Sequence, residues 1–307
     1  MRKFPWQASF LLLALIWGCS FWWIKESLVA LTPLQVAFSR CVLGALVLWA
    51  LVAVARPVLP SRSLWKHLMV VALLFNSVPF TLFALGQTQV SSILAGIINA
   101  TTPLWTLVIT MLAFQEERPT RQRVIGLGVG FIGVLTLLGV WQSLPTGQWL
   151  GIAACLGATL CYGIAFPYAR RYIAPSGTPP VSLAAAQVLL GAAFLLPVVA
   201  VEAVTEGSYA PQLTIQVGAA MLALGALGTG IAYIFSFSII RAAGSSTAAS
   251  VTYLTPIVAV VVGLLILGEP ITWYEPVGAA IVLFGIAYSQ GRIRQSGSIQ
   301  SANGGGR

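Results

Sequence analysis

Ten stretches of about 20 residues, almost free of charge, follow one another along this chain, each long enough to cross a hydrocarbon core of about 30 Å as a helix. They fall at residues 6 to 25, 33 to 55, 65 to 86, 91 to 114 and 121 to 141, and then at 148 to 169, 180 to 201, 213 to 237, 245 to 267 and 272 to 290. In lipid every backbone N–H and C=O must find its partner within the protein, which leaves only helices and closed barrels. Runs this long are not the alternating segments of about ten residues from which barrels are built. The expectation is an all-α polytopic membrane protein of ten transmembrane helices. Composition agrees: mean hydropathy is +0.91 with 7% charged residues, against about 25% charged in soluble domains.

The charges that remain read as a topology code. With the amino terminus inside, Arg2, Lys3, Arg56, Arg62, Lys66, Arg118, Arg121, Arg123, Arg170, Arg171, Arg241, Arg292, Arg294 and Arg307 all fall on the cytoplasmic side. Lys25 falls outside with Glu26, Glu202, Glu206, Glu269 and Glu275. The excess of Lys and Arg on one side places both termini in the cytoplasm of a bacterial inner membrane. Arg2 and Lys3 ahead of an apolar run imitate a signal peptide, but Phe21, Trp22 and Trp23 stand where a small-residue cleavage site would be, so the run is expected to stay as the first span. The formal charge of +9 is scattered singly and in pairs rather than gathered into a basic stripe, which excludes nucleic acid as a partner. The tail from 291 to 307 is rich in Gly, Ser and Gln and is expected to be a disordered cytoplasmic segment.

Two halves, 6–141 and 148–290, repeat one pattern. At a shift of 145, Trp17-Gly18-Cys19-Ser20-Phe21 falls on Tyr162-Gly163-Ile164-Ala165-Phe166. At 147, Arg40 and Gly44 fall on Gln187 and Gly191; at 153, Phe80 falls on Tyr233 and Thr102-Pro103 on Thr255-Pro256; at 152, Gly126 and Gly133 fall on Gly278 and Gly285. Five is odd, so the second copy must enter the bilayer from the opposite face, giving an inverted repeat with its site near the midplane.

Mid-span polar residues cost several kcal/mol in lipid unless they face protein or water. Three such pairs sit at the shift of 153: Asn76 with Thr229, Asn99 with Thr252, and Thr102 with Thr255. Asn76, Phe80 and Phe83 share one helical face, as do Thr229, Tyr233 and Ser236. With Trp17, Tyr162, Phe166 and Tyr253 these residues define a cavity of hydroxyls, amides and aromatic rings expected to bind substrate; the alternative is that the polar groups tie helices together. Pro103 and Pro256, halfway along the fourth and ninth spans, are candidate hinges because each removes a backbone donor. Arg40, the one basic residue within a span, lies about two turns from the outer end, close enough to snorkel; a role in packing or in anchoring the outer leaflet is favoured, with substrate contact as the alternative.

Catalytic chemistry has no candidates. The chain contains no Asp, every Glu falls in a loop or at a span end, and His67 is the single histidine, at a span end. Cys19, Cys41, Cys155 and Cys161 lie in apolar runs without metal-site spacing, so no metal and no cofactor is expected. Gly128-Val129-Gly130-Phe131-Ile132-Gly133 fits the dinucleotide fingerprint in letters alone, inside a span with no strand before it, and is read as helix-packing glycine. With no midplane carboxylate for a proton relay and no cluster of cations for a multiply charged anion, the substrate is expected to be a small neutral or zwitterionic molecule. A secondary transporter, working as a monomer, is the favoured reading; a metabolite-permeable channel, a membrane enzyme and a structural subunit are the others.

Trp17-Gly18-x-Ser20-Phe21, Arg40 with Gly44 and Ala45, the two Thr-Pro pairs, and Glu116-Glu117-Arg118-Pro119-Thr120 ahead of Gly126 and Gly133 resemble EamA-type members of the drug/metabolite transporter superfamily. Gly268-Glu269-Pro270-Ile271-Thr272 repeats the last element in the second half. The resemblance covers residues 6 to 290. It implies a basket of ten helices around a central cavity, and export of amino acids, aromatic ones among them, or related metabolites.

Overall fold

The computed structural model describes residues 5–114, 120–137, 140–141, 148–205, 214–262 and 273–289. Among them there are helices and turns and no strand. The tail after 290 and the Glu116–Pro119 and Gly268–Thr272 motifs lie outside the described residues.

The first half begins with α1 (Trp6–Ser27) and α2 (Pro33–Ala55). A π turn at Leu73–Ser77 joins α3 (Trp65–Ala72) to α4 (Val78–Gln89). Then come α5 (Ser92–Asn99), α6 (Thr102–Ala113) and α7 (Arg121–Leu137). The second half begins with α8 (Trp149–Tyr172) and α9 (Pro180–Thr205). A π stretch at Ala223–Ile231 joins α10 (Ile215–Leu222) to α11 (Ala232–Ala243). A 3-10 turn at Ser250–Tyr253 lies between α12 (Ser245–Ala249) and α13 (Thr255–Val262), and α14 (Tyr274–Ser289) closes the order. Among the described residues six stretches are long and apolar enough to cross a membrane: Trp6–Ser27, Pro33–Ala55, Arg62–Gln89, Trp149–Ser176, Pro180–Thr205 and Ile215–Ala243. Large apolar side chains such as Leu11, Leu15, Val54, Leu112, Val204 and Leu222 face outward, as they must where the solvent is lipid.

Helix ends explain where the chain turns. Thr32 caps α2 through a reciprocal box with Gln35, its hydroxyl accepting from the Gln35 N–H at 3.2 Å while the Gln35 side chain accepts from the Thr32 N–H at 3.1 Å. This satisfies two donors that the first turn would leave free. Thr214 caps α10 with the one-way half of this arrangement, its hydroxyl accepting from the Val217 N–H.

The packing is the same when the halves are exchanged. α1 lies against α10, α11 and α13, and its counterpart α8 lies against α3, α4 and α6. α2 packs on α9, and α7 packs on α14. Small residues let the last pair close: a Cβ on Gly133 would stand 2.6 Å from the Val282 nitrogen, and one on Gly126 would stand 2.6 Å from the Ser289 nitrogen. Without a hydrophobic drive between helices in lipid, such backbone approach supplies the van der Waals contact that holds them. Gly128, the first glycine of the fingerprint-like run, meets nothing within 4 Å.

The two prolines do not bend continuous helices. Pro103 stands in the first turn of α6, after a break at Ala100 and Thr101, and Pro256 in the first turn of α13 after the 3-10 turn. In a first turn the missing N–H has no intrahelical partner to lose. Each therefore starts a second short helix where an unbroken span was expected.

Candidate functional site

Four helices turn rings toward one point. On α1, Trp17, Ser20, Phe21 and Ile24 share a face by their spacing of three, four and seven; on α8, Tyr162 and Phe166 are one turn apart. With Phe75, Phe80 and Phe83 from the π turn and α4, Tyr233 from α11, Asn99 from α5, Thr252 from the 3-10 turn and Arg40 from α2, they line one cavity, whose envelope counted out through its open mouth is about 500 Å³. Only a small part of that space is wide enough for water, because the rings interlock. Phe75 meets Phe166 edge-on at 4.9 Å, Tyr162 lies 5.9 Å from Phe83, and Trp17 meets Tyr233 edge-on at 6.3 Å. Such offset and edge-on pairs are the favoured aromatic geometries.

The π segments explain the polar pattern. Each widens the helix by one residue and releases backbone carbonyls from regular pairing. The carbonyls are taken up across the halves: Trp17 Nε1 donates to the Gly228 carbonyl at 3.2 Å, and the Tyr233 hydroxyl donates to the Phe75 carbonyl. Side chains cross in the same sense. Arg40 Nε donates to Thr229 Oγ1 at 3.1 Å, and Gln187 Nε2 donates to Asn76 Oδ1 at 2.7 Å. Arg40 with Gln187, and Thr229 with Asn76, are the pairs that the sequence shifts of 147 and 153 place at equivalent positions. Two braces thus run from the second helix of each half to the π segment of the other.

Of the residues marked out by the sequence, Trp17, Phe80, Asn99, Tyr162, Phe166, Tyr233 and Thr252 line the cavity. Asn76 and Thr229 are buried in the braces instead. The expected face of Asn76, Phe80 and Phe83 assumed 3.6 residues per turn; the extra residue of the π turn rotates the register and puts Phe75 inward in place of Asn76. Thr102 donates to Asn99 Oδ1 at 3.4 Å, and Thr255 to the Thr252 carbonyl at 2.8 Å, so both stand behind the wall. Tyr253 turns away from the cavity and donates to the Leu127 carbonyl at 2.9 Å against Gly130.

Arg40 has the packing role that was one of its expected roles, as a buried brace to Thr229, but not the path to water. It is 4% exposed and does not snorkel; its guanidinium carbon lies 3.5 Å from the Phe80 ring centroid, within cation–π range. Depth along a helix does not reveal whether neighbours leave a long side chain a path to water, and here Phe80 and the π stretch of the other half close it. Among the described residues no group of three or more His, Cys, Asp or Glu side chains comes together.

The sequence as a whole now decides the family. The profile of the EamA-like transporter family matches residues 5–139 and, a second time, residues 149–289. The chain belongs to the EamA-like transporter family. It is similar to an uncharacterized transporter of Archaeoglobus fulgidus, 25% identical over 274 residues that cover 88% of this chain and 93% of the relative. It is also similar to the uncharacterized inner membrane transporter YedA of Escherichia coli K12, 25% identical with 89% and 87% covered, and to the uncharacterized transporter YvbV of Bacillus subtilis, 25% identical with 93% and 92% covered. A solved crystal structure shares the fold with a TM-score of 0.73 at 17% identity, covering 92% of this chain and 95% of the other. This EamA-family chain is therefore a multi-pass membrane transporter, and the names of its family and relatives speak for transport rather than catalysis.

Proposed function

We propose that this EamA-family protein is a secondary transporter that exports or exchanges small neutral or zwitterionic metabolites, amino acids among them, by alternating access around the central cavity. One observation carries the reading. The cavity is lined by equivalent positions of the two halves: Trp17 with Tyr162, Phe80 with Tyr233, and Asn99 with Thr252. A site shared by two copies of one unit can be opened to either side by exchanging the conformations of the copies. The same exchange is supported by the packing, in which each contact between α1 and the second half has its counterpart between α8 and the first.

On this reading the chain forms ten spans as two inverted five-helix repeats and works as a monomer. The breaks before Pro103 and Pro256 are the hinges. Trp17, Phe80, Asn99, Tyr162, Phe166, Tyr233 and Thr252 touch substrate, while Asn76, Thr102, Thr229, Tyr253 and Thr255 hold the wall. Aromatic lining suits an apolar or aromatic body, which agrees with the likeness of the sequence motifs to the bacterial amino-acid exporter YddG. Purified protein in liposomes, given a panel of labelled amino acids and related metabolites, is expected to show saturable uptake and counterflow. Asn99→Ala and Tyr162→Ala are expected to weaken apparent affinity at least severalfold. If both left transport of every accepted substrate unchanged in folded protein, the cavity would not be the substrate site.

A further inference from the structure

Arg40 is more than its brace requires. The equivalent brace in the other half is made by a neutral amide, Gln187 on Asn76, at 2.7 Å. A guanidinium in that role brings a buried positive charge, which is costly within a membrane span unless something pairs with it. Of its five N–H groups, the one on Nε is used by Thr229. Among the described residues nothing accepts from the two terminal nitrogens, and no carboxylate lies within ion-pair distance. The ring of Phe80 covers the guanidinium at 3.5 Å, but an aromatic quadrupole supplies no hydrogen-bond acceptor for the edge. Arg40 is also part of the cavity wall. The result is a side chain 4% exposed, charged, with its terminal fork unpaired and bordering an aromatic cavity.

We propose that Arg40 is the docking group for one carboxylate of the transported molecule. The terminal fork of a guanidinium presents two parallel N–H donors that match a carboxylate bidentately. A ligand carboxylate there would neutralise the buried charge and fill its hydrogen-bonding capacity. The body of the ligand would then extend among Tyr162, Phe166, Phe75 and Trp17, which widens the class from neutral and zwitterionic molecules to monocarboxylates with an apolar or aromatic body, amino acids included. A single guanidinium balances a single carboxylate, so a second acidic group on the ligand would be left uncompensated. The assignment rests on the reading of this cavity as the substrate site.

The second half supplies the variant. Arg40→Gln copies the brace that Gln187 already makes, so it keeps the tie to Thr229 in kind and removes the charge. The test is a thermal-shift titration of wild type and Arg40→Gln in detergent with matched pairs: L-phenylalanine and L-phenylalaninamide, L-leucine and L-leucinamide, 3-phenylpropionate and 3-phenylpropanamide. For wild type, at least one carboxylate is expected to stabilise the protein with an apparent affinity at least about tenfold above its amide, the scale of a charged hydrogen bond. In Arg40→Gln the ratio is expected to fall toward one. Equal response of wild type to both members of every pair, response to no carboxylate, or full discrimination retained by Arg40→Gln overturns the assignment. A variant too unstable to measure leaves the wild-type ratios to decide. Phe166→Ala separates the two levels: if it alters affinity while Arg40→Gln keeps its discrimination, the cavity stands and Arg40 is only a brace. If neither matters, the cavity reading falls as well.

Discussion

At the scale of single residues, similar side chains do different work because backbone geometry aims them differently. Tyr162 and Tyr233 border the cavity, whereas Tyr253, as buried as Tyr233, points the other way and holds the Leu127 carbonyl. Tyr253→Phe removes that hydrogen bond alone and is expected to cost about 1 kcal/mol. Its thermal midpoint should drop while competition among substrates keeps its order; an altered order would put Tyr253 into the site. Which aromatic residues would matter was partly legible, since Trp17, Phe80, Tyr162, Phe166 and Tyr233 stood out as rings in doubled positions. Phe75 did not, and Arg40 stood out for packing rather than for the cavity. The first was hidden because helical periodicity assigns its neighbour Asn76 to the inward face, and no letter in Leu73–Ser77 announces a π turn. The second was credited with a path to water because a lone cation in a span looks the same in sequence whether its neighbours open that path or close it.

At the scale of elements, irregularities do the positioning. The two π segments turn the halves of their spans relative to one another and expose the carbonyls that Trp17 and Tyr233 take from the opposite half. The breaks at Ala100–Thr101 and at the 3-10 turn divide two further spans. A proline after a break discourages the two pieces from joining, since its ring would clash with the carbonyl four residues back. Pro103→Ala is therefore expected to leave stability within about 1 kcal/mol, against about 3 kcal/mol for a proline inside a helix, while slowing turnover by letting α5 and α6 fuse. Counterflow rates and melting curves on the same preparation check this, and an unchanged rate would remove the hinge. The α7–α14 seam makes the opposite demand. Gly133→Val would drive side-chain atoms into the Ile281–Val282 backbone and should cost about 1–3 kcal/mol as overpacking, read as a lower melting temperature with substrate selectivity intact.

At the scale of the whole molecule, the distribution of Lys and Arg predicts that both chain ends face the cytoplasm. Reporter fusions active only in the cytoplasm, placed at each end, are expected to report alike; opposite reports would undo the inverted repeat. Sequence by itself determined that this chain lives in lipid, that it is helical, that it contains one unit twice, and that its polar mid-span residues are few. These follow from length, hydropathy and spacing, which are properties of the chain one segment at a time. Only the tertiary structure decided which of those polar residues brace the bundle and which reach the cavity, and that Arg40 is enclosed with its charge unpaired. The reason is physical: a π turn shifts a helical face by one residue, and the closure of a buried pocket depends on side chains contributed from both halves at once. No single segment contains that information.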